Sequence, residues 1–454
     1  MKKITYLLVL VSMGFLLSCK KYLDEPTNSN LAYPTTIENC QALLDNYRVM
    51  NEERTPRFQQ GSTDDFFLTL SQFNSAGSPY QEVYLWEIPY ETTFNDWNLG
   101  YGAVYHANVC LENIDKIDKV NNGIAWNNVK GSAFFFRAYY FLQLVWQYSK
   151  AYDEATSSTD LGIALKTTTD LYERTVRSSV KETYDRIISD TKQSLIYLPD
   201  TSNHPFRPSK VAAFGLLAKA YLSMRMYDSA GKYADKYLSL KSRLIDFNGD
   251  EDIIQNFTSD ISPFRLFNKE TVFYTSVIPS MPGRDNSYID TVLYDNYHPN
   301  DLRKVAYFSG PGRYKGFKGS YTQNYLNSFS GIATDEMYLI RAESFARSGD
   351  INKALADLNS LLIKRWKTGT YVSATASNAQ QALQIILSER RKELLMRSVR
   401  WIDIKRLNKE ASNAISLTRI VNGLTYILLP NDNRYALPIP DLLISVSGMQ
   451  QNPR

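Results

Sequence analysis

Small and aromatic residues recur at fixed offsets in pairs of predicted helices, and this repetition restricts the fold more than any other feature of the chain. In residues 338–358 the set comprises Tyr338, Ala342, Phe345, Gly349, Ile351, Ala354 and Leu358. A second set with the same spacing comprises Phe214, Ala218, Tyr221, Tyr227 and Ala230. Small residues let two antiparallel helices approach closely, and an aromatic ring fills the space between them. Each set therefore predicts a helical hairpin.

The spacing in both sets matches the offsets of the tetratricopeptide repeat. Two further pairs are predicted at 134–141 with 184–195 and at 36–50 with 95–118. Long insertions separate the pairs, so they do not form a tandem array. Generic helical hairpins are the alternative, because the repeat spacing is degenerate. A repeat scaffold contacts other proteins through its helical face and leaves its insertions free to build a separate site.

The remaining segments divide between one central helix and long irregular stretches. The helix predicted at 126–148 is aromatic on most sides, which places it at the centre of the fold. Residues 51–93 have a loop-like, polar sequence that contains many aromatic residues. Residues 242–332 are interrupted by glycine and proline and contain only short β-like runs. The tail is predicted to be extended.

The N-terminus carries the pattern of a secretory signal. Lys2 and Lys3 precede an apolar run over 4–17, followed by Ser18 and Cys19. A transmembrane anchor is disfavoured because it needs about 20 apolar residues. The order Leu16-Leu17-Ser18-Cys19 resembles the bacterial lipobox, in which the cysteine is acylated after cleavage, although Leu17 departs mildly from the usual residue. We therefore predict lipidation at Cys19; an ordinary signal peptide with a chance cysteine is the alternative.

Composition adds two constraints on function. The formal charge is only +4 and the basic residues are scattered, so the charge pattern does not indicate a nucleic-acid partner. The 32 tyrosines exceed what a core absorbs and suggest a surface that recognises ligands through flat, amphipathic rings. Of the remaining cysteines, Cys40 and Cys110 lie in helix-like apolar segments, which favours buried free thiols over a disulfide.

Metal and nucleotide sites find little support in the sequence. The three histidines, His106, His204 and His298, have no partners at ligand spacing. The acidic run at 246–252 alternates oxygen ligands like part of a calcium loop, but it lacks the glycine and the terminal glutamate. A solvated acidic turn is therefore expected, with calcium as the alternative. The glycines at 310–319 do not match either nucleotide fingerprint and predict a mobile loop.

Two clusters of charge were considered as chemical sites. Asp64 and Asp65 are the pair most compatible with glycoside hydrolysis, but neighbouring side chains on a strand point apart. The alternating charges over 389–393 lie beside Arg400 and Trp401, and we expect a structural ion network there. No catalytic residue is predicted.

Several short motifs occur in an order that resembles the SusD/RagB-like family of outer-membrane nutrient-binding lipoproteins. One is Phe136-Arg137-Ala138-Tyr139-Tyr140-Phe141 in the aromatic helix. The others lie at 18–24, 179–184, 301–303, 335–343, 389–394, 400–406, 437–440 and 451–453. Each motif is weak alone, but the series covers nearly the whole chain.

The resemblance implies a mainly α, SusD-like fold with four tetratricopeptide-like helix pairs and an irregular lobe with short strands. It divides the chain into a signal peptide at 1–18, a lipidated tether at 19–35, an N-terminal helical region at 36–241 and a C-terminal region at 242–454. It implies a protein anchored in the outer membrane at the cell surface. Its expected partner is a TonB-dependent outer-membrane transporter, to which it passes an oligosaccharide; no covalent chemistry and no cofactor are implied.

Sugar binding requires rings that stack on apolar sugar faces and polar groups that meet hydroxyls. Two loop regions supply both. The predicted ligand-binding residues are Tyr80, Tyr84, Trp86, Tyr90, Asp64 and Asp65 in the first loop and Arg313, Tyr314, Phe317 and Tyr321 in the second. A glycan-trimming surface enzyme and a peptide-binding protein of the same type remain alternatives, and any single ring could instead belong to the core.

Overall fold

The computed structural model describes residues 34–89, 95–119, 123–278, 287–324 and 326–454. Cys19, its tether and Tyr90 lie outside these residues. In chain order the helices are α1 Ile37–Leu44, α2 Tyr47–Met50, α3 Phe58–Gly61, α4 Leu70–Ala76, α5 Tyr80–Tyr84, α6 Asp96–Ile114, α7 Gly123–Tyr148, α8 Val180–Tyr197, α9 Lys210–Ser223, α10 Tyr227–Leu240, α11 Thr291–Asp295, α12 Arg303–Ala306, α13 Thr334–Arg347, α14 Ile351–Leu362, α15 Ala379–Glu393, α16 Arg400–Leu407 and α17 Asp441–Ser447.

Helices α6 to α10 and α13 to α15 form the helical half of the protein. Each packs against the next, with α9 on α10 and α13 on α14 as hairpins and α10 on α13 as the join between them. The joins are close because small residues lie at the contacts: a Cβ atom on Gly231 would lie 2.5 Å from the Cβ atom of Ser344. Ala138 and Ala342 are fully buried, as the repeat spacing predicts. The predicted helix pairs are confirmed.

The aromatic helix α7 lies at the centre of the fold, as predicted. Every residue from 135 to 148 is buried. The one cation in this stretch, Arg137, is satisfied by two bonds from its Nε and Nη2 atoms to the Asp190 carboxylate, at 2.7 and 2.9 Å. A buried charge is tolerated when it is paired and hydrogen-bonded in this way.

Side-chain caps explain where several helices begin. Ser179 accepts a hydrogen bond from the Glu182 backbone N–H, and the Glu182 side chain accepts one from the Ser179 N–H, so a capping box begins α8. The Thr36 side chain, directly before α1, accepts a bond from the Asn39 backbone N–H. The predicted helix at 36–50 is divided into α1 and α2 by Asp45 and Asn46.

The irregular lobe comprises the described residues of 58–89 and 245–333. Its strands are short: β1 Phe66–Phe67, β2 Thr271–Phe273, β3 Ser276–Val277, β4 Tyr288–Ile289, β5 Phe308–Ser309, β6 Gly316–Phe317, β7 Ser328–Phe329 and β8 Ile332–Ala333. They pair antiparallel as β1–β4, β2–β8, β3–β7 and β5–β6. Residues 310–315, which contain two of the glycines interpreted as a mobile loop, connect β5 to β6. The lobe has its own apolar cluster, distinct from that around α7.

Buried ion pairs join the lobe to the last helices. The fully buried Arg303 contacts Asp301 at 2.7 Å, Glu389 at 2.6 Å and Glu393 at 2.9 Å. Arg390 on α15 contacts Glu336 on α13 at 3.1 Å and Asp403 on α16 at 2.8 Å. The structural ion network expected over 389–393 is therefore present.

Two segments contain more regular structure than the sequence suggested. Residues 51–93 were interpreted as loop, yet α3, α4 and α5 lie there; each has seven residues or fewer, too short for a clear apolar period. The tail predicted to be extended contains α16, α17 and a hairpin of β9 Leu417–Val421 and β10 Leu424–Leu428. Asn422 and Gly423 form its turn with φ of 51° and 77°, the conformation that Asn-Gly favours in two-residue hairpins.

The acidic run at 246–252 forms a turn whose carboxylates meet cations. Asp246 contacts Lys364 at 2.9 Å and Asp250 contacts Lys269 at 2.6 Å. Cys40 and Cys110 are both buried and form no disulfide, in agreement with the prediction of free thiols, and the Cys110 thiol donates a hydrogen bond to the Cys40 carbonyl oxygen at 3.4 Å.

Candidate functional site

The aromatic residues predicted for the first ligand loop lie mostly inside the protein. The Trp86 side chain is 4% exposed, and its indole N–H donates a hydrogen bond to the Ser62 carbonyl oxygen at 2.9 Å. Tyr84 is equally buried, and its hydroxyl accepts a bond from the Leu68 N–H at 3.0 Å. Neither ring has a face open to solvent, so the structure assigns both to packing.

An arginine from the C-terminal hairpin explains this burial. The Arg419 guanidinium lies 3.5 Å from the centroid of the Tyr84 ring and 5.1 Å from that of Trp86. Burial lowers the pKa of Arg419 to about 10. Tyr80 is half-buried, edge-on to Phe58 at 6.4 Å. The rings of Tyr84 and Trp86 therefore hold the hairpin β9–β10 against the lobe.

The residues predicted for the second ligand loop differ in how far their side chains are exposed to solvent. Tyr321 is 1% exposed and its hydroxyl donates to Glu270 at 2.6 Å, which makes it a core residue. Phe317 is half-buried, whereas Arg313 is exposed. Tyr314 is 47% exposed. Of the nine predicted ligand contacts that the structure describes, Tyr314 is the aromatic residue with the largest exposed fraction.

Tyr314 belongs to a cluster of three surface rings, which we call the aromatic platform (Phe67, Tyr288 and Tyr314). Tyr288 and Tyr314 stack with their centroids 5.3 Å apart and their planes 27° apart. Phe67 lies 5.9 Å from Tyr288 and meets Tyr314 at 5.3 Å. Phe67 and Tyr288 are half-buried, so the platform is partly open to solvent. Adjacent rings of this size offer the flat apolar surface on which sugar rings stack.

Strand alternation builds the platform. β1 and β4 pair so that Phe66 faces Ile289 and Phe67 faces Tyr288. Because successive side chains point to opposite faces, Phe66 and Ile289 enter the core while the other two rings face outward. The connection between β5 and β6 supplies Tyr314, and the Lys315 carbonyl oxygen accepts a bond from the Ile289 N–H at 2.8 Å.

Charged side chains flank the platform. Asp64 accepts two hydrogen bonds from Arg400 on α16, at 2.7 and 2.8 Å. Arg391 on α15 lies 3.1 Å from Asp64 and 3.7 Å from Asp290, which follows β4. Burial alone would raise the pKa of Asp64, but Arg400 and Arg391 outweigh it and lower that pKa well below its usual range. Asp64 is therefore ionised and held by two arginines.

Asp65 has the opposite electrostatic character. Its side chain is buried, it accepts a bond from Gln60 at 3.2 Å, and its Oδ1 atom lies 4.0 Å from Arg391 Nε. Burial raises the pKa of Asp65 to about 6, and the neighbouring charge of Asp64 acts in the same direction.

Two adjacent carboxyl groups with separated pKa values resemble an acid–base pair. Their surroundings argue against that role. Both Asp64 oxygens accept bonds from Arg400, and Asp65 is enclosed, so neither group is presented to a reacting atom. The pair is better explained as part of the ion network that joins the residues before β1 to α15 and α16.

Sequence reasoning missed Phe67, Tyr288, Asp290, Arg391 and Arg400 as parts of this site. Phe67 is one of many aromatic residues in 51–93, and Tyr288 lies in a two-residue strand with no detectable period. The available signal was the pair Phe66-Phe67 directly after Asp64-Asp65, where alternation requires one ring to face outward.

A second surface feature is larger but chemically different. A groove of about 600 Å³ beside α8 is lined by Leu165, Val176, Arg177, Ser178, Glu182, Asp185, Arg186 and Ser189. It contains no aromatic side chain. The platform is therefore the better candidate for a site that recognises sugars.

Among the described residues, no cluster of three or more His, Cys, Asp or Glu side chains could hold a metal ion. Within the same residues, every helix is too short or too polar to cross a membrane.

Comparisons with known proteins place this architecture in a family. Residues 21–222 match a family model described as "Starch-binding associating with outer membrane", and residues 309–454 match one described as "SusD family". A SusD-like protein P2 from Formosa agariphila is 22% identical over 79% of each chain.

Solved structures with the same fold agree. A SusD superfamily protein from Bacteroides thetaiotaomicron has a TM-score of 0.74 and 20% identity, over 92% of this chain and 100% of that one. A SusD-like carbohydrate binding protein from Bacteroides vulgatus has a TM-score of 0.68 and 19% identity, over 91% and 97%. Surface glycan-binding protein A from Bacteroides fluxus has a TM-score of 0.69 and 17% identity, over 92% and 100%. The two matched segments cover most of the chain and agree with the fold, and the protein belongs to the SusD/RagB-like family.

Proposed function

We propose that this protein captures an oligosaccharide on the aromatic platform and delivers it to a TonB-dependent outer-membrane transporter. The observation that carries the proposal is the stacked, partly exposed group Phe67, Tyr288 and Tyr314, flanked by Asp64, Asp290 and Arg391. Rings and hydrogen-bonding groups side by side are what a sugar face and its hydroxyls require. Solved relatives described as carbohydrate-binding and glycan-binding support the same ligand class.

The test is truncation of the most exposed platform ring. Tyr314→Ala should lower affinity about tenfold, which corresponds to a stacking contribution of about 1–2 kcal/mol. Binding would be measured by calorimetry against soluble starch and a panel of neutral polysaccharides. Tyr172, 97% exposed on the loop before α8, provides a matched control, since Tyr172→Ala removes an exposed ring far along the chain from the platform. Equal affinity of both variants and the wild type would contradict the proposal.

Capture at the cell surface requires an anchor, which we assign to Cys19. Its position after Ser18 and ahead of a polar tether supports lipidation in the exported protein. Acyl chains contribute about 0.8 kcal/mol per buried methylene, so two or three chains hold a protein firmly. Cys19→Ala should release the protein from the membrane fraction. A variant that still sediments with outer membranes in a strain lacking the transporter would refute the anchor.

Delivery to the transporter predicts a physical complex. Affinity purification of the lipidated protein from detergent-solubilised outer membranes should recover a TonB-dependent receptor in stoichiometric amount. Recovery of the lipoprotein alone, under conditions that preserve other outer-membrane complexes, would contradict delivery.

We propose binding without covalent chemistry. Arg400 occupies both oxygens of Asp64, and Asp65 is enclosed, so the most plausible carboxylate pair lacks access to substrate. Purified protein should bind glycans without releasing products. Sustained release that is lost in Asp64→Asn would instead establish a glycan-trimming enzyme.

A further inference from the structure

The aromatic platform rests on a short pairing that is weak by itself. β1 and β4 contain two residues each, and a strand pair of this length is not independently stable in water. The backbone continues the pairing by one bond, from the Asp290 N–H to the Asp65 carbonyl oxygen at 2.9 Å. Core packing of Phe66 and Ile289 and the bond from the Ile289 N–H to the Lys315 carbonyl oxygen support the pairing from inside the lobe.

One side chain reaches both segments from outside. The Arg391 Nη2 atom donates to the Asp64 carbonyl oxygen at 3.0 Å and lies 3.1 Å from the Asp64 carboxylate. The same atom lies 3.7 Å from Asp290 Oδ2, and Arg391 Nε lies 4.0 Å from Asp65 Oδ1. A planar guanidinium can serve several acceptors at once, which a lysine ammonium on its flexible stem does less well.

The helix that carries Arg391 is itself fixed. Its neighbour Arg390 is tied to Glu336 and Asp403 in the buried ion network. Asp290 is also held, because its Oδ1 atom caps α11 by accepting bonds from the Val292 and Leu293 N–H groups. Arg391 therefore joins a rigid helix to two extended segments that each support one platform ring.

We infer that Arg391 is the positioning residue of the platform, holding the segments of Phe67 and Tyr288 in register from α15. This inference rests on the proposed function only in its consequence for ligand affinity. The structural part can be tested without a ligand. The competing explanation is that Arg391 only neutralises Asp64 and Asp65.

The experiment is hydrogen–deuterium exchange of the full chain, followed at peptides covering 64–68 and 287–291. In Arg391→Gln the amide of Asp290, which bonds to the Asp65 carbonyl oxygen, should exchange about tenfold faster, with protection outside the two peptides unchanged. Arg391→Lys keeps the charge but not the planar fork, so it should show the same local loss. Full protection in Arg391→Lys, or wild-type exchange in Arg391→Gln, would overturn the inference.

Two further variants make the result unambiguous. Arg341→Gln is the matched control, because Arg341 joins Asp235 and Asp357 at 2.7 Å each within the helical half. It should leave exchange at the platform unchanged. If Arg391→Gln fails to fold, Asp290→Asn removes the charge on one acceptor and keeps the cap on α11. Faster exchange of peptides 64–68 and 287–291 in Asp290→Asn supports the inference, and unchanged exchange opposes it.

Affinity measurements separate this inference from the proposed function. Arg391→Gln should weaken glycan binding as Tyr314→Ala does. If exchange accelerates but neither variant changes affinity, the platform is not the ligand site while the positioning role stands. If Tyr314→Ala weakens binding and Arg391→Gln does not, Arg391 does not position the platform.

Discussion

In the helical half, alanine and glycine bring whole helices together, whereas in the irregular lobe charged side chains join strands of two or three residues. Ala138 and Ala342 lie fully buried at helix contacts. The lobe has an apolar cluster of its own, but arginines such as Arg303, Arg391 and Arg419 also connect its short segments to other parts of the chain. Apolar packing tolerates little change in volume, while ion networks tolerate little change in charge. The comparison teaches that the proposed ligand surface depends on ion pairs between short segments, whereas the helix contacts depend on small side chains.

The largest effect that we expect is loss of a buried cation in the lobe. Arg303→Met leaves Asp301, Glu389 and Glu393 as buried carboxylates without their shared partner, which should cost about 3–5 kcal/mol. Urea denaturation followed by circular dichroism measures it. Arg341→Gln, whose ion pairs are partly exposed, should cost about 1 kcal/mol or less. Similar losses in both variants would break the comparison.

The next effect is overpacking in the helical half. Ala138→Leu and Ala342→Leu each add a large side chain to a filled helix contact and should each cost about 1–3 kcal/mol. Ala356 is exposed on α14, so Ala356→Leu is the control and should change little. Thermal unfolding distinguishes the three variants. Unchanged melting temperatures at 138 and 342 would argue against close helix contacts there.

A smaller effect compares one carboxyl group from each half, because the pKa values of the two groups are shifted in opposite directions. Burial and the charge of Asp64 raise the pKa of Asp65 from 3.8 to about 6, so the folded protein binds this proton more tightly than the unfolded chain. Its contribution to stability is complete below about pH 4 and is lost as pH rises to about 6. Asp65→Asn should remove this decline, on the order of 2–3 kcal/mol between pH 4 and 7. Unfolding titrations from pH 4 to 7 measure the slope, and an unchanged slope would contradict the shifted pKa.

Glu343 in the helical half provides the opposite case. Burial raises its pKa, but Arg406 and Arg347 outweigh it and lower the pKa below 4.5. Its contribution is therefore present at neutral pH and lost as pH falls. Glu343→Gln should weaken the protein more at pH 7 than at pH 4, whereas Asp65→Asn should help it more at pH 7.

The sequence predicted the helical half far better than the lobe, and the reason is physical. Helix pairs reveal themselves through apolar period and small residues at fixed offsets, as at Ala342 and Phe345. A two-residue strand such as β4 has no period, and its outward ring is defined only by pairing with a strand more than 200 residues away. The exposure of a loop ring depends on which distant residues pack over it. Arg419 packs over Trp86, which is buried, whereas Tyr314 stays exposed.

The smallest effect that we expect is that of salt concentration on ligand affinity. Although the platform is surrounded by charge, Asp64 is paired with Arg400 and Arg391, and Asp290 faces Arg391, so these charges largely cancel. Stacking and hydrogen bonds to a neutral glycan are not screened, because screening acts on exposed unpaired charges. Affinity for a neutral ligand should therefore change less than about twofold between 0.05 and 0.5 M salt, although Arg391 is needed for the geometry of the site. Calorimetry at several salt concentrations tests this. A steep loss of affinity would indicate an acidic polysaccharide or charged peptide, with the exposed Arg313 as the first contact to replace by Gln.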